Sequence, residues 1–577
     1  MITGVITGRV HTTLRIAVAQ PLLPARSVGG GDPVPDTPAV PQPSAPESDG
    51  GRPPGTASVP RTRAATEHTP PASKDGARPR PATVTGVTLG AALGTGVLSA
   101  LLLGPGLGTN LLLVAAVGTL AAYAAARRAG RRFRPWTCAW AVCGLALLLV
   151  PALRDAGWPA FLAVVAALMA GSLALHGGRT WHGVFLGAVG LLGSIVTGPT
   201  WGIEGLRQRM TASQGRWGPA ARSLGVAALL LLVFGALFSA ADAAFADLLG
   251  ALVPEVPVEE GPWRFLLFLL GVAGALAAAH VAAAPTHWDR LAVRRGRPRG
   301  RWEWALPLIV LDLLFAAFNA VQLTVLFGGY DKVLAETGLT YAEYARQGFW
   351  QLVLATLLTL GVIALALRWA PRADDRDRLL VRSVLGALCL LTLVVVASAL
   401  RRMDLYVDAY GLTQLRLTVA AMELWLGLVL VLITAAGVYG AAWLPRTVAA
   451  SAAVGVLAFG LASPDALVAE RNADRHQRTG KLDVEYLQGL SADAVPALDR
   501  LAEPLRSCAL KGIAEDLEED AGKPWYATSW GESRARKILA ERPVQPPANC
   551  MGLVNPAYGT DDFGGRDDLP GLERPVP

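Results

Sequence analysis

Between Thr83 and Pro464 the chain is a succession of apolar runs, separated by short polar or arginine-rich breaks. About twenty mostly apolar residues, at roughly 1.5 Å each, cross the ~30 Å hydrocarbon layer of a bilayer. Runs of that kind lie near 83–104, 107–126, 135–153, 157–176, 182–203, 221–250, 262–284, 303–328, 347–369, 379–400, 415–440 and 446–463. In lipid only a helix satisfies its backbone groups within one segment. The pattern therefore predicts an all-α, polytopic transmembrane bundle of about 11–12 spans.

The flanks read differently. Residues 1–82 hold fifteen of the forty prolines and little that could form a core, which predicts a disordered arm. From Ser463 onward, helical spacing alternates with breakers. Ser463-Pro464-Asp465 opens a helix that stops at Gly480, and Ser491 and Asp493 are candidate caps. The expected organisation is an arm over 1–82, transmembrane helices over 83–206 and 220–463, and a small polar helical domain outside the membrane over 464–577, loose at its end.

Hydrophobic residues make up 52% of the chain and charged residues 17%, well below the usual quarter for a globular protein. Of 52 basic residues only six are lysine. The arginines cluster between spans (Arg127 to Arg134, Arg290 to Arg301, Arg372 to Arg382), as the positive-inside rule places them, rather than along a stripe that binds nucleic acid. They mark the cytoplasmic side of a bacterial cell membrane, with the N-terminus inside and the C-terminal domain outside. The acidic loop from Pro254 to Glu260 is expected outside. One conflict stands: Arg207, Arg209, Arg216 and Arg222 follow the glycine-rich fifth run and also ask to be cytoplasmic. That run is expected to be re-entrant or interfacial, unless a neighbouring span is misplaced.

Polar groups inside spans cost at least about 2.5–3.5 kcal/mol at mid-bilayer and so draw attention. Asp312, Asn319 and Gln322 share one helical face, either lining a proton or solute path or joining neighbouring helices by hydrogen bonds. The segment ALRRMDLYVDAYGLTQLR carries Arg401, Asp404, Asp408 and Arg416, with Glu423 two turns further on. It reads as a charged gate at the outer mouth or as an interfacial turn held by salt bridges. Gly411 suits a helix C-cap and Thr413 the next N-cap. Cys508 and Cys550 form a candidate disulfide if the domain is exported. The histidines lack a third ligand, and no catalytic, cofactor-binding or metal motif is present. Gly90 and Gly94 have the spacing of a close packing face.

With MDLYVDAYGLTQLR, LFAAFNAVQLTVLFGG, TGLTYAEYARQGFWQL and SPDALVAERNADRHQRTGKLDVEYLQGLSADAVPAL on the page, the chain resembles actinobacterial membrane proteins of the domain-of-unknown-function families four-one-seven-three and four-one-five-three, over about residues 84–510. The resemblance implies a multi-pass membrane protein without an assigned activity, and it transfers no functional residues. The expected partners are the lipid bilayer and an envelope protein bound through 464–577. A non-catalytic envelope scaffold or sensor is the leading reading, ahead of a proton- or solute-coupled transporter and a lipid-linked enzyme.

Overall fold

The computed structural model describes residues 83–155, 157–212, 261–290, 300–328, 349–370, 374–545 and Cys550, with isolated positions between 223 and 245. The arm, most of the predicted sixth span, the acidic loop and the arginines at 294–299 lie outside the described residues. All regular structure among the described residues is helical. In order come α1 (Gly86–Leu102), α2 (Thr109–Arg128), α3 (Pro135–Leu153), α4 (Gly157–His176), α5 (Trp181–Val189), α6 (Thr197–Ala212), α7 (Gly261–Ala283), α8 (Arg301–Gly328), α9 (Phe349–Trp369), α10 (Asp375–Tyr410), α11 (Gln414–Tyr439) and α12 (Leu444–Leu461). The C-terminal part adds α13 (Pro464–Thr479), α14 (Leu505–Glu519) and α15 (Trp530–Glu541), with short helical turns between them.

Nine of these helices are long and apolar enough to cross a membrane. Large apolar side chains such as Phe161, Leu358 and Leu379 stand exposed on their outer faces, as a lipid solvent requires. The chain packs back on itself. Ala92, Ala125, Trp201 and Leu276 join α1, α2, α6 and α7. Leu147, Val150, Leu173 and Ala453 join α3, α4 and the last span, α12. Trp304, Leu308, Ile363, Leu388 and Leu430 hold α8 to α11 together. Trp425 of α11 donates to the Ser451 hydroxyl of α12 at 3.2 Å, so α12 links the second group of helices to the first.

The close helix approach falls at Gly96, two residues beyond the predicted pair Gly90 and Gly94. Nothing lies near Gly90, and Gly94 makes an ordinary contact with Val117. At Gly96 a Cβ would collide with Val272 and stand 2.9 Å from the Phe268 carbonyl of α7, and Gly271 faces Ser99 and Gly96 in return. Small residues on both helices let the backbones touch.

The fifth apolar run is not one straight span. It breaks into α5 and α6, bent by 49°, and its contacts stay at one end of the bundle. Gly187 lies against Leu173 and Gly177, Gly198 against Ala277, and Gly205 against Val84. Arg209 then donates to the Val84 carbonyl just before α1, at 2.7 Å from Nη2. Glycines three to five positions apart, from Gly183 to Gly205, let this segment lie close against helix ends. Both ends of the segment pack near helix ends that Arg131 caps: Gly187 against Gly177, and Arg209 against Val84.

Candidate functional site

The charged segment between α10 and α11 is the seat of the C-terminal helical part, which opens with α13. Helix α10 ends because Gly411 takes φ +86°, a conformation that favours glycine. Its amide donates to the Val407 carbonyl, and Thr413 caps α11 by accepting from the Arg416 amide. The carbonyls of Asp408 and Ala409 left over at this end are taken by the Arg475 guanidinium of α13, the first at 3.1 Å. Asn472, one turn earlier, accepts from the Leu412 amide at 3.1 Å and donates to the Leu412 carbonyl at 2.7 Å. Tyr486 accepts from the Gln414 amide at 2.8 Å, and Gln414 donates to Asp465. A side chain at Gly411 would strike Asn472, so the glycine serves both the turn and the seat.

Arg416 sits beside this seat, 4.2 Å from the Tyr406 ring centroid and bonded to the Gly411 carbonyl at 2.6 Å. One cavity of about 280 Å³, with Trp350, Tyr406 and Val419, lies on one side of it. Another of about 260 Å³ lies on the other, with Asp404, Asp408, Arg471, Arg475 and Arg478. Arg401 pairs with Asp404 at 2.7 Å on the exposed face of α10.

A second attachment joins the domain to the loop after α3. Asp155 accepts from the Ala492 amide at 3.1 Å, Asp493 accepts from the Asp155 amide, and the buried Ser463 hydroxyl donates to Asp493 at 2.6 Å. Ser463 holds φ +53°, strained for a residue with a Cβ, and this bond fixes it at the junction of α12 and α13. Burial, with the neighbouring charges of Glu532 and Asp493, pushes the Asp155 carboxyl above its ordinary value. Burial likewise raises Asp493, against its bonds to Ser463 and Asp155.

Raised carboxyls bind more protons when docked than when free. Their contribution is therefore complete below the free value of about 3.9 and is lost as pH rises through the docked one. Hydrogen exchange of the Ala492 amide is expected to slow as pH falls through the raised docked values, after correction for intrinsic rates. Asp493→Asn, which stands in for the protonated form, should flatten that dependence; a profile identical to wild type would refute the assignment.

The intramembrane groups do not meet in one cavity. Asn319 is buried and donates to the Leu391 carbonyl of α10 at 2.9 Å. Gln322 accepts from Arg402 at 3.1 Å. Glu423 is fully buried and takes the Thr356 hydroxyl of α9 at 2.9 Å. Its second oxygen, and one oxygen of Asp312, have no hydrogen-bond partner among the described residues. Asp312 and Asn319 thus bear on α10, while Glu423 faces α9. Cys508 and Cys550 are joined by a disulfide. Among the described residues, no group of three His, Cys, Asp or Glu side chains is placed to hold a metal ion.

Two features escaped sequence reasoning. The Asp155–Asp493 attachment joins residues too far apart in the chain for any spacing rule. At the opposite end of the bundle lies a larger cavity, about 470 Å³, into which four separate loops and helix ends bring six arginines and one aspartate. Sequence clusters of arginine mark topology but do not show that Arg131, Arg179, Arg290 and Arg446 meet.

No curated protein and no solved structure matches the chain. The family model described as "Domain of unknown function (DUF4153)" matches residues 141–501. The match takes in α4 to α13 and both attachments of the C-terminal domain, so the chain belongs to the DUF4153 family of domains of unknown function.

Proposed function

We propose that the protein is a non-catalytic envelope component, a scaffold or sensor that holds a folded domain at the outer face of the bacterial cytoplasmic membrane. The observation that carries this reading is the two-point seating of that domain. The domain has its own buried core around Val468, Leu487, Leu498, Leu510 and Ile513. It grips helix ends through Asn472 and Arg475, and the α3–α4 loop through Asp493. Scattered polar groups in the spans support a structural role for Asn319, Gln322 and Glu423 more than a continuous path. Orientation is supported by Arg127 to Arg134, Arg179, Arg290 and Arg446, which gather at the end opposite the domain. The disulfide supports an oxidising surrounding for residues 464–577.

Protease added to intact spheroplasts should shave residues 464–577 and leave the arginine-rich loops intact. Protection of the domain until the membrane is opened would overturn the proposed orientation. A second reading, coupled transport, is favoured by the unpartnered oxygens of Asp312 and Glu423. Proteoliposomes under an imposed pH gradient should leak no faster than protein-free vesicles, with Asp312→Asn and Glu423→Gln unchanged. A flux abolished by either substitution would move the assignment to a transporter.

A further inference from the structure

The arginine-lined cavity at the end opposite the C-terminal domain has a chemistry that topology alone does not require. Positive-inside residues can lie anywhere along a loop, exposed and apart. Here Arg131, Arg132 and Arg134 from the α2–α3 loop, Arg179 before α5, Arg290 after α7 and Arg446 in the first turn of α12 line one concave space.

Two of the six are already engaged. Arg131 caps two helices at once, donating to the Ala282 carbonyl of α7 and the Leu175 carbonyl of α4, each at 3.1 Å. Arg446 donates to the Gly178 carbonyl and lies 5.3 Å from the Trp136 ring centroid. These contacts make the walls rigid. The guanidinium groups of Arg132, Arg134, Arg179 and Arg290 pair with no carboxylate among the described residues.

The single acid of the cavity is committed elsewhere. Asp289 accepts from the Arg179 and Thr180 amides and from the Thr180 hydroxyl, at 2.8 to 2.9 Å. Burial raises its carboxyl, but these bonds and Arg446 outweigh that and keep it below its ordinary value, so it stays an anion locked on α5. His176 also lines the space. It is 6% exposed, and its Nδ1 bonds the Ser172 carbonyl at 3.1 Å, while Nε2 has no partner among the described residues. The cavity thus offers forked donors, an aromatic wall and the histidines His176 and His287, and its one carboxylate is held by backbone amides.

We propose that this cavity binds a phosphate group, presented either by an anionic phospholipid headgroup at the cytoplasmic surface or by a soluble phosphate compound. Guanidinium forks match phosphate oxygens two at a time, and the rigid Arg131 and Arg446 set the depth of the site. Arg134 and Arg179, from two different loops, both line the cavity and supply forked donors that no carboxylate among the described residues takes.

The test uses the full chain in nanodiscs. One arm compares retention of phosphatidylglycerol with that of phosphatidylcholine by native mass spectrometry; the other titrates inorganic pyrophosphate into phosphatidylcholine nanodiscs by calorimetry. Saturable binding in either arm, at least about tenfold weaker in Arg134→Gln/Arg179→Gln, is the expected result, and the arm in which it occurs identifies the source. Arg207→Gln/Arg376→Gln, on exposed arginines outside the cavity, should bind like wild type. Arg179→Lys, which keeps charge but loses the fork, should fall between. Equal loss in the two double variants, or no saturable binding in either arm, overturns the proposal. Should the glutamine double variant fail to fold, the ordering of Arg179→Lys against Arg207→Gln/Arg376→Gln decides the question.

Discussion

Replacing Arg506 by leucine is expected to unfold the C-terminal domain while the helix bundle stays assembled. Arg506 is fully buried in that domain, and each donor group has a partner. Nε meets Asp499 at 2.8 Å, Nη1 meets Glu503 at 3.2 Å, and Nη2 meets the Arg542 carbonyl at 2.6 Å. It thereby joins the start of α14 to the end of α15, on the core that Leu510 and Ile513 build. Leucine would fill part of the volume but leave two carboxylates and a buried carbonyl facing an apolar group. Breaking a fully buried ionic network from one side costs about 3–5 kcal/mol. Asp499 and Glu503 are 27% and 33% exposed and Asp499 keeps Arg542, so the loss falls below that range but is still sizeable against the stability of a small domain. Arg506→Lys should recover only part of this, because an ammonium cannot reach three partners at fixed angles. Limited proteolysis of the full chain in detergent would check it: cleavage within 464–545 should appear in Arg506→Leu, with the spans still protected. A wild-type digestion pattern would show that the network is dispensable.

The second large effect is expected at Gly96. Valine there must displace Val272 and the Phe268 carbonyl, and a backbone carbonyl inside a helix cannot move aside like a side-chain tip. Overpacking of this kind typically costs about 1–3 kcal/mol, and more where backbone is involved. The contact joins α1 to α7 and, through them, α2 and α6. Thermal unfolding in detergent should shift down by several degrees for Gly96→Val, whereas Gly90→Ala, with open space around it, should be neutral. Similar melting of the two variants would remove the close approach from the account.

The bundle was legible because lipid enforces it: apolar runs of span length, interrupted by arginines, allow few structures but helices. Position along the run was less informative than composition. The fifth run has the hydropathy of a span but is broken and bent, as its glycines and the arginines after it signal. The helix of α13 and its stop at Gly480 were readable from the Ser-Pro-Asp start and the glycine, which takes φ +70°. What could not be read was which loops meet. Asp404, Asp408 and Arg416 form a dense charge pattern whose purpose depends on Asn472 and Arg475, about 60 residues later. Asp155 carries no local pattern at all, and its partner Asp493 looked like a helix cap. Gly96 was passed over in favour of Gly90 and Gly94, because motif spacing fixes a helical face but not the neighbour that covers it.

The C-terminal domain touches the loop after α3 with one edge and the α10–α11 turn with another, so it straps together helix groups that meet mainly through α12. Any relative rocking of those groups must pivot at the strapped end, where these bonds would have to break first. The largest displacement would then occur at the far end, between α8 to α11 and the arginine-bearing loops of the first group.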